Sequence, residues 1–334
     1  MSQSSRCANR VVEVNVFLHE EGAEREIEKL LKSMVTYNKL LEIKRITSAA
    51  TNTAFMCVLG GGETDRVFVR INGEMTRGLV DREEEKKNMK KLFVLGLWEI
   101  LVGTFANGIV LRGCRGKEIG NETLLERGPG LQVARKIRGW HEKTRAEYGD
   151  VCLFDRMRGF VSGFCVGKEE GWEGIEEETV FVEQEIEFLR ARIEKSEFRN
   201  LVSLCHNDLH HMNIIYDEES KSMEFIDLEF CFENFCLYDV GVYFEALCDY
   251  TNFCQGVSRE YQLEWLSEYF CGDTEMAQKA YRELPLYGMC TNLFWMIYTV
   301  YLRNQTNTDY DYEKWYYLFK KSFLAKRRMF ETDM

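Results

Sequence analysis

The sequence predicts an α+β chain in two unequal parts, a small β-rich N-terminal part and a larger, mainly helical C-terminal part. Three observations carry this. Short β-type apolar runs fill residues 43–111, with one helical pattern set among them. From residue 130 onward, helical spacing dominates. A chain of 334 residues with 45% hydrophobic content and 13% aromatics also has the material for two packed cores.

The elements follow in order. Over residues 21–38, Ile27, Leu30, Leu31 and Met34 recur at helical spacing. Residues 43–59 and 66–71 read as strands joined through Gly60-Gly61-Gly62. Asp81 is placed to cap a helix running to residue 95, and the acidic residues of its first turn suit the positive end of the helix dipole. Short strands at 98–105 and 108–111 precede a small-residue break at Gly113 to Gly116, which divides the chain into 1–113 and 114–334 with a cleft expected between the parts. The second part opens with a helix over 130–148, which Pro129 is suited to start. A glycine-rich acidic stretch at 168–178 reads as a solvated loop. Helical patterns follow at 179–198, 239–253, 259–269, 276–304 and 311–330, with a hairpin before the second of them.

A net charge of −12 disfavours a nucleic-acid backbone as partner, but leaves room for nucleotides that arrive with magnesium. The twelve cysteines are scattered, without C-x-x-C spacing, and predict reduced thiols in a cytoplasmic protein. The apolar run at 11–18 is too short for a signal peptide, and the run at 286–302 falls short of a membrane span.

The chemistry concentrates between Leu204 and Asp239. A strand over 212–216, a turn over 217–222 and a strand over 223–228 would bring Asn213 and Asp227 together, with Asp208 in the loop that feeds the first strand. That layout supplies one carboxylate to orient a hydroxyl and two oxygen ligands for magnesium beside a triphosphate, which is the equipment of phosphoryl transfer. His206 reads as a residue that holds the loop. His210 and His211 are not read as zinc ligands, because adjacent side chains do not readily converge on one ion. The stripe Phe294, Trp295, Tyr298 and Tyr301 is either core packing or the wall of a pocket.

His206-Asn207-Asp208 with Asn213, then Ile226-Asp227-Leu228-Glu229-Phe230, Asn234, Tyr238 and Asp239, closely resemble the choline/ethanolamine kinase family. The likeness extends to Val67 through Gly73, Asp81-Arg82-Glu83, Phe105-Ala106-Asn107-Gly108 and Asn292-Leu293-Phe294-Trp295. The resemblance implies a two-lobed protein-kinase-like fold with a small β-rich N-lobe and a larger helical C-lobe. It also implies ATP and Mg2+ as cofactors and phosphorylation of the hydroxyl of choline first and ethanolamine second, the first step of phosphatidylcholine and phosphatidylethanolamine synthesis by the CDP-amine route. Homodimers are common in the family.

Carried over residue by residue, Asp208 is the catalytic aspartate, Asn213 and Asp227 are the magnesium ligands, and Glu229 lies near the metals. Arg70 is catalytic, meets the nucleotide phosphates and pairs with Glu83. The phosphate-covering loop falls at Ser48-Ala49-Ala50-Thr51-Asn52, which makes Ser48, Thr51 and Asn52 nucleotide contacts. A quaternary ammonium has no N–H to donate, so aromatic faces and a carboxylate are its natural hosts. Phe230, Glu245, Tyr250, Trp295, Tyr298 and Tyr312 (or its neighbour Tyr310) are the residues expected there.

Four departures stand out. Ser48-Ala49 replace two glycines, Tyr243 replaces histidine, Tyr298 stands where choline-specialised relatives have tryptophan, and Phe230 where they have tyrosine. The alternatives are an ethanolamine-preferring or other small-molecule kinase and a nucleotide-binding pseudokinase scaffold.

Overall fold

The structure, a computed structural model, describes residues 11–46, 52–62, 64–73, 81–164, 174–248, 257–305 and 310–330. They fall into two compact units, Met1–Gly116 with Asp217–Glu224, and Lys117–Tyr216 with Phe225–Met334.

The first elements are β1 (Val12–Val14), α1 (Ala23–Met34), β2 (Lys39–Ile46), β3 (Asn52–Gly60), β4 (Arg66–Asn72), α2 (Arg82–Val94), β5 (Leu101–Phe105) and β6 (Gly108–Arg112). Their strands form one sheet in the order β1-β5-β6-β4-β3-β2. The β1–β5 pair is parallel and the remaining pairs are antiparallel. Alternate residues of β3 and β4 (Phe55, Cys57 and Leu59; Val67, Val69 and Ile71) meet the apolar stripe Ile27, Leu30, Leu31 and Met34 of α1 in one core. The run at 43–59 is therefore two paired strands, not one. The three-residue β1 was not anticipated, because it is too short for alternation to show. Gly108 is dictated by close approach: a Cβ there would lie 2.1 Å from the carbonyl oxygen of Arg70, so the β5–β6 turn can pass tightly over β4.

Further along come β7 (Lys117–Glu118), α3 (Asn121–Leu124), α4 (Arg127–Lys143), α5 (Leu153–Ser162), α6 (Ile175–Ile193), β8 (Val202–Cys205), β9 (Ile214–Asp217), β10 (Ser222–Phe225), β11 (Phe232–Phe235), α7 (Cys236–Leu247), α8 (Arg259–Tyr269), α9 (Thr274–Gln305) and α10 (Tyr312–Met329). The chain thus has the two-lobed α+β architecture of the expectation, with a β-rich first unit and a larger helical second one. Among the described residues no helix is long and apolar enough to cross a membrane.

Several local expectations need adjustment. Pro129 is the third residue of α4, where its missing N–H still costs no intrahelical bond. Glu178 lies in the acidic stretch read as solvated, yet it is buried and ion-paired with Lys320. The short helix α5, which buries Leu153, Phe154, Met157 and Val161, was not read from the sequence. The returning strand of the hairpin stops at Phe225, because Asp227 takes a left-handed conformation with φ 62°.

Candidate active site

The site in the second unit is built around Asp239, in the first turn of α7. Its carboxylate is fully buried and accepts from three donors. The backbone N–H groups of His206 and Asn207 reach Oδ2 and Oδ1 at 2.8 and 2.5 Å, and Nε2 of His141 on α4 lies 3.0 Å from Oδ2. The other ring nitrogen of His141 meets the Tyr269 hydroxyl at 2.7 Å. Burial works against an imidazolium here, but the Cys236 sulfur and the Asp239 carboxylate outweigh it and raise His141 to about 10.

A group raised in the folded state stabilises fully below its unfolded value of about 6.5 and loses that contribution as pH rises toward 10. The thermal midpoint of the protein should therefore fall between pH 6.5 and 10. In His141→Asn the same scan should be flatter, starting from a lower midpoint. Equal slopes would contradict the charged pair.

The anchored loop, residues 206–213, leaves β8 beside β11, with Phe232 opposite Cys205. Asn207, left-handed at φ 66°, donates through Nδ2 to the carbonyls of Phe230 and Phe232 at 2.9 and 3.1 Å. Its own Oδ1 accepts from Asn234 at 2.7 Å. His206 makes the second stitch: Nδ1 accepts the Asp208 N–H at 3.3 Å, and Nε2 donates to the carbonyl of Ile226 at 2.9 Å. This pattern requires the neutral ring, and burial accordingly holds His206 below its ordinary pKa. His206 holds the loop, as expected, and links Asp208 to the residue before Asp227.

Asn213 completes the group. Its Nδ2 donates to the Asp208 carboxylate at 3.0 Å and to the Asp208 carbonyl at 2.8 Å, and its own carbonyl accepts the Ile226 N–H at 2.9 Å. Asp208 and Asn213 are therefore bonded directly, and the loop that carries them is tied to Ile226, the residue before Asp227. Burial opposes charge on His210, but Asp208 first, then Asp227 and Glu118, raise its pKa. With its Nδ2 on Asp208, Asn213 turns Oδ1 the other way, and Asp227 and Glu229 are half-buried nearby in sequence. These are hard oxygen donors of the kind magnesium takes. The buried His141, Cys205 and Cys236, whose ligand atoms lie within 4.8 Å of one another, offer softer donors, and the imidazole is already engaged by Asp239 and Tyr269.

The aromatic residues gather as well. Phe230 meets Trp295 and Tyr298 edge-on at 5.1 and 5.2 Å, and Trp295 meets Tyr298 at 5.6 Å. Phe294 is core, whereas Trp295, next to it on α9, is half-exposed. Phe160 of α5 joins Tyr298 at 5.2 Å, a contact the sequence did not disclose. Tyr312 is half-buried at the start of α10 against Tyr310, at 4.9 Å.

Glu245, expected in the amine pocket, is buried within α7 instead. Its Oε2 accepts from Asn292 at 2.7 Å, from Lys326 at 3.0 Å and from Ser322 at 3.4 Å. Helical phase explains the difference: Ala246, one residue on, is the half-exposed position, while Glu245 faces α9 and α10. Ser48, Thr51 and Tyr250 lie outside the described residues.

The first unit presents its own charged group. Arg70 on β4 pairs with Glu85 at 2.6 Å, whereas the expected partner was Glu83. Asp81 caps α2 by accepting the N–H groups of Glu83 and Glu84 at 3.1 and 3.0 Å, which sets the helical phase. Glu85 then shares the buried face with Met89 and Leu92, and Glu83 points out, its side chain 86% exposed, against Lys86. Arg82 takes the other oxygen of Glu85 at 2.9 Å and donates to Oδ1 of Asn52 at 3.0 Å. Burial alone would raise the Glu85 pKa, but Arg70 and Arg82 outweigh it and hold the carboxyl below its usual range.

Comparison with known proteins agrees with these motifs. The family model described as Choline/ethanolamine kinase matches residues 43–321. Ethanolamine kinase 2 of Rattus norvegicus is 27% identical over 307 residues, covering 87% of this chain and 78% of that protein. Probable choline kinase 2 of Arabidopsis thaliana is 25% identical over 330 residues, covering 91% and 93%. Among solved structures, an ethanolamine kinase from Plasmodium vivax superimposes with TM-score 0.75 at 17% identity, covering 93% of this chain and 90% of its own. A choline kinase from Cryptosporidium parvum does so with TM-score 0.73 at 15% identity, covering 93% and 97%.

Proposed function

Because the chain belongs to the choline/ethanolamine kinase family, we propose that it transfers the γ-phosphoryl group of ATP to the hydroxyl of a small amino alcohol, ethanolamine before choline. The observation that carries the reaction is the Asn213 amide on the Asp208 carboxylate, in a loop stitched to the Asp227 segment through Ile226. Asp208 orients the acceptor hydroxyl and takes its proton as the new P–O bond forms and the bond to the ADP oxygen breaks. Asn213 holds one oxygen of that carboxylate through its amide. Asn213 and Asp227, with Glu229 beside them, would hold magnesium, which when bound supplies positive charge to the phosphate oxygens. Arg70, held by Glu85, offers a fixed guanidinium, a group suited to phosphate oxygens.

Phe230, Trp295 and Tyr298 supply aromatic faces for the substrate ammonium. Two points favour ethanolamine. A tyrosine hydroxyl at position 298 can accept an ammonium N–H, which an indole cannot. The relatives matched also include ethanolamine kinases from several organisms. Purified protein incubated with Mg-ATP and each amine, with products separated and quantified, should give phosphoethanolamine at a higher kcat/KM than phosphocholine. No phosphorylated product from either amine would overturn the proposal, and a preference for choline would reverse the order of acceptors. Trp295→Ala should raise KM for the amine by about tenfold, the loss of one desolvated cation–π contact, with KM for Mg-ATP unchanged.

A further inference from the structure

We infer that Arg82 is a positioning residue for nucleotide binding, fixing Glu85 and Asn52 so that Arg70 presents its guanidinium in one orientation; the inference rests on the kinase reading above. A carboxylate held by a single arginine can still turn about its terminal torsion. In Glu85 each oxygen has its own guanidinium, Arg70 Nη2 on Oε1 at 2.6 Å and Arg82 Nη1 on Oε2 at 2.9 Å, so the plane is set.

Arg82 does more than close that pair. Its Nη2 donates to Asn52 Oδ1 at 3.0 Å, and the same oxygen accepts the Gly73 N–H at 3.4 Å. One guanidinium therefore joins the first turn of α2, the first residue of β3 and the residue that follows β4. Asn52 is the last residue of the segment read from the sequence as the phosphate-covering loop, and β4 carries Arg70. Asn52 takes part through its oxygen as a strut. Arg82 is largely buried, with 15% of its side chain exposed, and its planar fork addresses two acceptors at once. A lysine at this place keeps the charge but cannot reproduce both directed contacts.

The test uses the full chain with Arg82→Ala and Arg82→Lys. The readouts are equilibrium binding of a fluorescent ATP analogue with magnesium, KM for Mg-ATP, KM for ethanolamine, and the thermal midpoint. Both variants should weaken analogue binding and raise KM for Mg-ATP by about tenfold, the scale of one lost charge-assisted contact, while KM for ethanolamine stays within about twofold of the wild type. Asn52→Ala combined with Arg82→Ala should cost less than the product of the single effects. Wild-type nucleotide affinity in the variants, whether or not the midpoint falls, would overturn the inference, as would full rescue by lysine. Where the alanine variant does not fold, Arg82→Lys decides. A wild-type chain that binds no analogue would overturn the kinase reading itself, and is thereby told apart from a failure of the Arg82 argument.

Discussion

Asp208→Asn is expected to lower amine phosphorylation by about a thousandfold, the range set by loss of a positioned general base, with Mg-ATP affinity within a few-fold of the wild type. Asparagine preserves the shape of the side chain and an oxygen to accept the Asn213 amide, which meets Asp208 at 3.0 Å. The backbone contacts of the loop, Asp208 N–H to His206 and Asn213 Nδ2 to the Asp208 carbonyl, do not involve the substituted atoms. What disappears is the basicity that takes the hydroxyl proton. Single-turnover product formation, nucleotide binding and the thermal midpoint, measured together, separate these effects. Near wild-type turnover in a folded variant would remove Asp208 from the chemistry.

The largest effect on stability should come from Asp239→Ala. Removing this carboxylate strands the N–H groups of His206 and Asn207 and leaves the His141 imidazolium without its buried partner. Breaking one side of a buried ion pair costs about 3–5 kcal/mol, a large share of the stability of a folded protein, and the midpoint should drop by about 10 °C. Turnover should fall too, because the loop that carries Asp208 is hung from this carboxylate. In a double-mutant cycle, His141→Asn should soften the penalty of Asp239→Ala, since no unpaired cation then remains. An Asp239→Ala variant with an unchanged midpoint would show that the loop is held by other contacts.

The parts of the site that were legible lie close together along the chain. Asp208, Asn213 and Asp227 are joined by one loop and one tight hairpin, so spacing and turn residues were enough to bring them together. The pairing of Arg70 could have been read correctly from helical phase: with Asp81 as cap, Glu85, Met89 and Leu92 share a face, and Glu83 stands two residues and more than half a turn away. Glu245 follows the same rule: the phase of α7 turns it toward Asn292 of α9 and Lys326 of α10.

Fold class, the order of the units and the closeness of Asp208 to Asn213 are legible along the chain, because hydrophobic period, caps and turns act over a few residues. Which buried charges meet depends on packing between distant elements. His141 and Asp239 lie 98 residues apart, Glu245 and Lys326 lie 81 apart, and Phe160 reaches Tyr298 from a helix too short to announce itself. Such partners are selected by burial, since a charge or ring removed from water takes whichever complementary group the packed helices bring within reach, and no local pattern encodes that choice.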